Sequence, residues 1–198
     1  MPRDGLITER LLLRRWREED REAFAAINAD PVVMEYFPSA LSRERSDALL
    51  DAIEAGFDEH GFGLWALETR EGGAMIGFTG LSEARFAAHF TPAVEVGWRL
   101  ARDAWGQGYA TEAGSAALAH GFTEAGLPEI VSFTAVANER SIAVMRRLRM
   151  RREPAEDFDH PQLPPGHRLR RHVLFRLDAE RWRDPARRVL SPGSGLPR

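Results

Sequence analysis

A chain of 198 residues, 43% hydrophobic and 29% charged, fits one domain that buries about 70% of its unfolded surface, and it needs no second. The absence of cysteine excludes disulfides, thiolate nucleophiles and cysteine-based zinc sites, and since all 27 basic residues are arginine, any covalent mechanism falls to Ser or Thr. Net charge is -3 but unevenly placed: residues 1 to 139 hold 12 Arg against 23 acids (-11), and residues 140 to 198 hold 15 Arg against 7 acids (+8). That surplus reads first as a solvated arginine face, and no aromatic interleaving points to nucleic acid as a partner. No apolar run reaches the length of a membrane span, and Met1-Pro2-Arg3-Asp4 leads into no signal-peptide apolar region, so a cytoplasmic location is expected.

In chain order, Leu6 to Trp16 alternate and are β-rich, predicting a first strand. Glu18 to Asn28 predict a helix with Glu18, Glu19 and Asp20 in its first turn, stopped by Pro31. Ser42 is the expected N-cap of a second helix through His60, with Leu49, Ile53 and Phe57 as its buried stripe and Gly61 as its stop. Leu64 to Thr69 and Ala74 to Ser82, joined by Glu71-Gly72-Gly73, read as a hairpin, and Glu83 to Thr91 as a loop.

Val94, Val96, Trp98 and Leu100 then alternate with Glu95, Gly97 and Arg99, the pattern of a strand with one apolar face. Ala110, Ala113, Ala117, Gly121 and Phe122 fall on one face of a following helix. Between them, Trp105, Gly106, Gln107, Gly108, Tyr109 and Ala110 bring unpaired backbone N–H groups and the positive helix end to one point, where glycine lets an anion approach. Such a turn suits a pyrophosphate. Glu129 to Ala135 is a β-branched strand, Asn138 an N-cap with Ser141 in the first turn, and Ile142, Met145 and Leu148 the core face of that helix. Arg151 to Gly166 reads as a loop or short strand plus loop, and Leu169 to Asp178 as the last strand. The domain is expected to span residues 1–183, and residues 184–198, rich in proline and glycine, to be a disordered tail.

The turn Trp105-Gly106-Gln107-Gly108-Tyr109-Ala110 with Thr111-Glu112-Ala113 resembles the acetyl-CoA loop of the GNAT superfamily of N-acetyltransferases, although Trp105 departs from the Gln or Arg general at its first position. Thr8-Glu9-Arg10-Leu11-Leu12-Leu13-Arg14 and Asn138-Glu139-Arg140-Ser141 are similar to the branch of RimJ/RimL type, which acetylates ribosomal-protein N-termini. The resemblance spans roughly residues 6 to 178 and implies an α/β fold with a central mixed sheet of about seven strands flanked by helices. It implies direct acetyl transfer from acetyl-CoA, with no metal, to a primary amine on a small molecule or peptide, and leaves a homodimer open. Trp98 to Leu100 would meet the pantetheine arm with backbone groups, Leu100 above all, and Asn138 would touch the same arm. Ser141 would donate a hydrogen bond to the leaving thiolate. Glu95 is the candidate base; its alternative is an outward-facing strand carboxylate, and Glu83 and the six histidines are fallbacks, of which His160 and His167 in the proline-rich loop show no ligand or triad spacing. Asn138 and Ser141 have an alternative as helix caps. A dinucleotide fingerprint is the weaker reading of the glycine turn because Thr111 stands where its third glycine would be. A protein that binds CoA as a non-catalytic sensor is the other alternative. The arginine surplus would form a basic rim near the adenosine phosphates if it has a role in the site.

Overall fold

Residues 5–184 are described in a computed structural model. The sheet begins with β1 (Leu6–Ile7) and β2 (Leu11–Arg14), two short antiparallel strands instead of one. The break between them is local: the Thr8 backbone N–H bonds the Leu11 carbonyl at 2.9 Å, and the Thr8 hydroxyl accepts from the Leu11 N–H at 3.0 Å. Such side-chain to backbone bonds compete with an extended strand. After α1 (Asp20–Ala29), α2 (Arg43–His60) starts at Ser42, whose side chain accepts from the Arg45 N–H, and stops at Gly61 in the left-handed region. Its buried stripe is Leu50, Ile53 and Phe57; Leu49 is only half-buried, one position off the expected face.

Strands β3 (Leu64–Thr69), β4 (Met75–Glu83) and β5 (Val94–Leu100) run antiparallel in sequence order. A short turn leads into α3 (Tyr109–Thr123), then β6 (Glu129–Ala135), α4 (Glu139–Arg147) and the two-residue strands β7 (Arg151–Arg152) and β8 (Phe158–Asp159). The long β9 (Arg171–Asp178) pairs with β6, β7 and β8, and α5 (Ala179–Arg183) follows. The sheet order is β1-β2-β3-β4-β5-β6-β9-β7 with β8 on β9, nine strands in all. The excess over the expected seven comes from two-residue pieces that hydrophobic periodicity is too short to detect. The expected tail lies outside the described residues except for Asp184. No helix among the described residues is long and apolar enough to cross a membrane.

Helix α3 packs close to one face of the sheet because Gly121 carries no side chain: a Cβ there would lie 2.6 Å from Ile130 and 2.9 Å from Leu81. The opposite face holds Phe78 against Trp16 and Phe24, under α1 and α2. Much of the arginine surplus is spent on surface pairing. Arg176 meets Glu129 at 2.7 Å and Glu156 at 2.8 Å, Arg152 pairs with Asp157, and Arg170 and Arg171 share Asp159.

Candidate active site

The site originates where two parallel strands part. Between β5 and β6 only Glu95 and Val131 are in register, while β4 and β5 pair over their whole length. The Ala84 N–H bonds the Ala93 carbonyl and the Ala101 N–H bonds the Ile76 carbonyl, so odd-numbered residues of β5 bond to β4. By antiparallel alternation, the N–H and C=O of Val96, Trp98 and Leu100 are turned toward β6. The Ser132 hydroxyl takes the Val96 carbonyl at 2.9 Å, and the Trp105 indole N–H takes the Leu100 carbonyl at 2.9 Å. Both backbone groups of Trp98 and the Leu100 N–H are left facing the gap with no ladder partner. The departure at Trp105 therefore has a local purpose, since its indole ties the loop to the end of β5.

That loop carries the second feature. Gly106 and Gly108 have φ of 77° and 83°, a region that favours glycine. The first helical amides, Thr111 and Glu112, bond the Gly108 carbonyl, whereas the N–H groups of Gly106, Gln107, Gly108, Tyr109 and Ala110 have no acceptor among the described residues. A Cβ at Gly106 would meet nothing within 4 Å, so that glycine is not there for helix packing. The opening Thr8-Glu9-Arg10 run clamps this loop from outside. Thr8 and Arg10 bond the Glu112 carboxylate at 2.6 to 2.8 Å, and Arg10 Nη1 donates to the Gln107 carbonyl at 2.9 Å. Holding that carbonyl outward leaves the amides free on the other side. In the sequence these residues were only a family signature; the ion pair is invisible there because its partners lie about a hundred positions apart.

On the α3 side of the gap, Asn138 caps α4. Its Oδ1 accepts from the Ser141 N–H at 3.2 Å, and its Nδ2 donates to Thr134 Oγ1 at 2.9 Å and Ser141 Oγ at 3.1 Å. Both ends of its amide are thus engaged within the protein. The Ser141 hydroxyl accepts from Asn138, and its own proton has no acceptor among the described residues.

On the other face of β5, Glu95, Gly97 and Arg99 line the cleft below the loop joining α1 to α2, which contributes Tyr36, Phe37 and Pro38. A Cβ at Gly97 would lie 3.9 Å from Glu95 Oε1, so that carboxylate leans into the space glycine leaves open. Glu95 is partly buried, makes no ion pair among the described residues, and is pushed up to about 8 by burial. His160 and His172 close the far end with ring centroids 5.0 Å apart. Burial lowers both, His172 to about 4, so they are neutral near pH 7. Glu83 and His167 do not line the cleft. Among the described residues no group of His, Asp and Glu could hold a metal.

One cleft of about 1090 Å³ joins these parts, running from the loop amides past Trp98 and Ser141 to Glu95. It passes through the sheet at the gap, with α4 on one side and the α1 to α2 loop on the other. An anionic group at the loop and a reacting group at Glu95 would be approached from opposite faces, which suits a two-substrate transfer without a covalent enzyme intermediate.

The sequence profile of the family described as "Acetyltransferase (GNAT) domain" matches residues 10–151. The chain is 27% identical over 177 residues to an uncharacterized N-acetyltransferase, YnaD of Bacillus subtilis, covering 89% of this chain and 98% of that one. Among solved structures, an acetyltransferase (GNAT family) from Bacillus anthracis superposes with a TM-score of 0.73 at 24% identity, over 88% of this chain and 98% of that one. A spermidine N-acetyltransferase from Vibrio cholerae, in complex with CoA and spermine, gives 0.70 at 18% identity, over 89% and 100%. At these identities the superpositions speak for the fold.

Proposed function

Since the chain belongs to the acetyltransferase (GNAT) domain family and is an acetyltransferase, we propose that it moves the acetyl group of acetyl-CoA directly onto an α-amine or another amine of similarly low pKa, such as a peptide or protein N-terminus. The observation that carries this reading is the single cleft linking the five free amides of Gly106–Ala110 to the Glu95 carboxyl. The amides and the α3 N-terminus hold the pyrophosphate. The pantetheine lies along the parted edge of β5, where Trp98 and Leu100 offer the bonds that β6 gives up. The Leu100 N–H polarises the thioester carbonyl, a preorganised donor of the kind typically worth a few kcal/mol. The amine nitrogen attacks that carbonyl carbon, Glu95 takes the proton the nitrogen sheds, and the C–S bond breaks to release CoA thiolate. A thiol with a reference pKa near 8.5 needs little help as a leaving group. Ser141 donates a hydrogen bond to it, and Asn138 orients that hydroxyl.

The amine class follows from pKa. At pH 7, freeing a lysine amine costs roughly 4.6 kcal/mol and an α-amine near 7.8 only about 1. A carboxyl at about 8 is largely protonated at pH 7 and is a limited base, so the low-pKa amine suits it. The matches at Thr8–Arg14 and Asn138–Ser141 support placement near the RimJ/RimL branch. Two matched peptides test the reading, one with a free N-terminus and no Lys, the other N-terminally blocked with one Lys. Faster acetylation of the free N-terminus at pH 7 is expected. Faster acetylation of the lysine would overturn the amine class, and CoA binding with no turnover on any amine would favour a sensor.

Ser141→Ala is expected to lower kcat by roughly ten- to a hundredfold, the low end for a positioned proton donor, with little change in the KM for acetyl-CoA. The Asn138 bond to the Ser141 N–H survives this change, so the cap is retained. A loss confined to melting temperature, with normal kcat, would mean that the hydroxyl serves the helix alone.

A further inference from the structure

Arg99 is a half-buried cation with no counter-ion among the described residues. Directly across the β4–β5 ladder from Phe78, its guanidinium lies 5.3 Å from that ring and 4.1 Å from Phe37. Nη1 donates to Asn28 Oδ1 at 2.5 Å, and Asn28, fully buried, is held in turn by Ser46 at 2.8 Å. Nε is buried with no acceptor, and Nη2 has none among the described residues. Burial lowers the group to about 10, and no carboxylate raises it back. Glu95 is not its partner: the two lie on one face of β5, but no ion pair or hydrogen bond joins them among the described residues. Taking a charge out of water without an ion partner costs several kcal/mol, and stacking on two rings offsets only part of that. Proteins keep such an arrangement where a ligand supplies the missing charge. Nε is closed off from the cleft, so the end of the guanidinium that a ligand can meet is the terminal one, Nη2, where a carboxylate forms a charge-assisted bond.

We propose that Arg99 binds a carboxylate of the acceptor, so that the amine acetylated here belongs to a molecule that also bears an acidic group. This rests on the reading of the cleft as the acetyl-transfer site. The rest of the lining agrees in sign: Glu95 is its single carboxylate, against Arg99 and Arg147, while Arg140 is paired with Glu35 at 2.9 Å. A polyamine would find one acid and, besides the paired Arg140, two cations; an amino acid, or a peptide whose first residue is acidic, finds an anchor. Asn28 and Ser46 fix the Arg99 guanidinium as a positioned planar cation instead of a mobile charge.

The test uses the whole protein with acetyl-CoA and matched acceptors: free amino acids and their amides, peptides beginning with Glu or Asp and the same peptides beginning with Gln or Asn, and spermidine. Losing the carboxylate lowers the pKa of the neighbouring amine, so the amino amides are the more reactive nucleophiles at pH 7. A preference for the acid then comes from recognition. The expected result is a kcat/KM at least about tenfold higher for the carboxylate-bearing member in one set, and which set shows it separates a free amino acid from an acidic peptide. In Arg99→Gln that ratio should collapse by about a hundredfold through the acceptor KM, in line with the loss of one partner of a buried charge pair. Arg99→Lys, which keeps the charge and loses the planar group that Asn28 positions, should fall between. The KM for acetyl-CoA, read in the same assays, reports on the fold of each variant. Better turnover of amides or spermidine by the native protein would overturn the proposal, as would an equal loss on both members of a pair in Arg99→Gln. Either result leaves the acetyltransferase reading intact if CoA still binds; failure of the native protein to bind CoA removes both.

Discussion

Glu95→Gln is expected to lower kcat by about a hundred- to ten-thousandfold, the range found when a positioned general base is removed. The amide keeps the size of the carboxyl and its place beside Gly97, and Glu95 forms no ion pair among the described residues that the change would break. The pH profile supplies the signature. Burial raises the Glu95 carboxyl to about 8, so its basic form is the minority at pH 7. Corrected for the fraction of free amine, wild-type kcat/KM should rise through an apparent pKa near 8 and then level off, and the variant should lack that limb. The same shift acts on stability with the opposite benefit. A carboxyl raised in the folded state contributes stability below its unfolded pKa of about 4.3, and that contribution is lost as pH rises through the folded value. The variant should therefore melt at least as high as wild type at pH 8 to 9, where the native protein holds a half-buried carboxylate with no ion pair among the described residues. Wild-type turnover in Glu95→Gln would remove Glu95 from the mechanism and point to an ordered water as the base.

The parts of this molecule that were legible in advance are those whose cause is local. The ends of α2 follow from Ser42 and Gly61, a hydroxyl that reaches one amide and a glycine with φ of 75°. The tight turn before α3 follows from two glycines, both with positive φ, set between a strand and a helix. The role of Trp105 was not legible, because nothing near it in sequence says that its indole will cap Leu100. Nor was the parting of β5 from β6, at which the Ser132 hydroxyl takes the Val96 carbonyl. The first strand was misread as continuous because Thr8 is a good strand residue by composition and a turn former by its hydrogen bonds. Leu49 and Leu50 are both apolar neighbours on α2, and only the partner surface decides which is buried. Alternation put Glu95 and Arg99 on one face of β5 but could not say whether that face met solvent or a cleft. The cover over it, Tyr36 to Pro38, sits about sixty positions away.

Gly108→Val is expected to weaken CoA binding by at least a hundredfold, about 2.7 kcal/mol, while the protein stays folded. Two costs add at this residue. Its φ of 83° is a conformation in which a branched side chain is strained, by roughly 1 to 2 kcal/mol or more. A Cβ would also sit 3.4 Å from Arg10 Nη2, so the two methyl groups of valine press on the guanidinium that bonds Glu112 and the Gln107 carbonyl. Relief of either cost turns the Gly106–Ala110 amides away from their common point, which is what an anion needs them to share. The fold tolerates the change because Gly108 is exposed and touches no core side chain. Gly126→Val separates strain from binding: its φ is 63°, a Cβ there meets nothing within 4 Å, and it lies outside the cleft lining. Calorimetric titration with CoA, beside melting temperatures for both variants, checks the assignment. The expected pattern is a lowered melting temperature in each and lost CoA affinity in Gly108→Val alone. Native affinity in a folded Gly108→Val protein would mean that the loop amides do not hold the pyrophosphate.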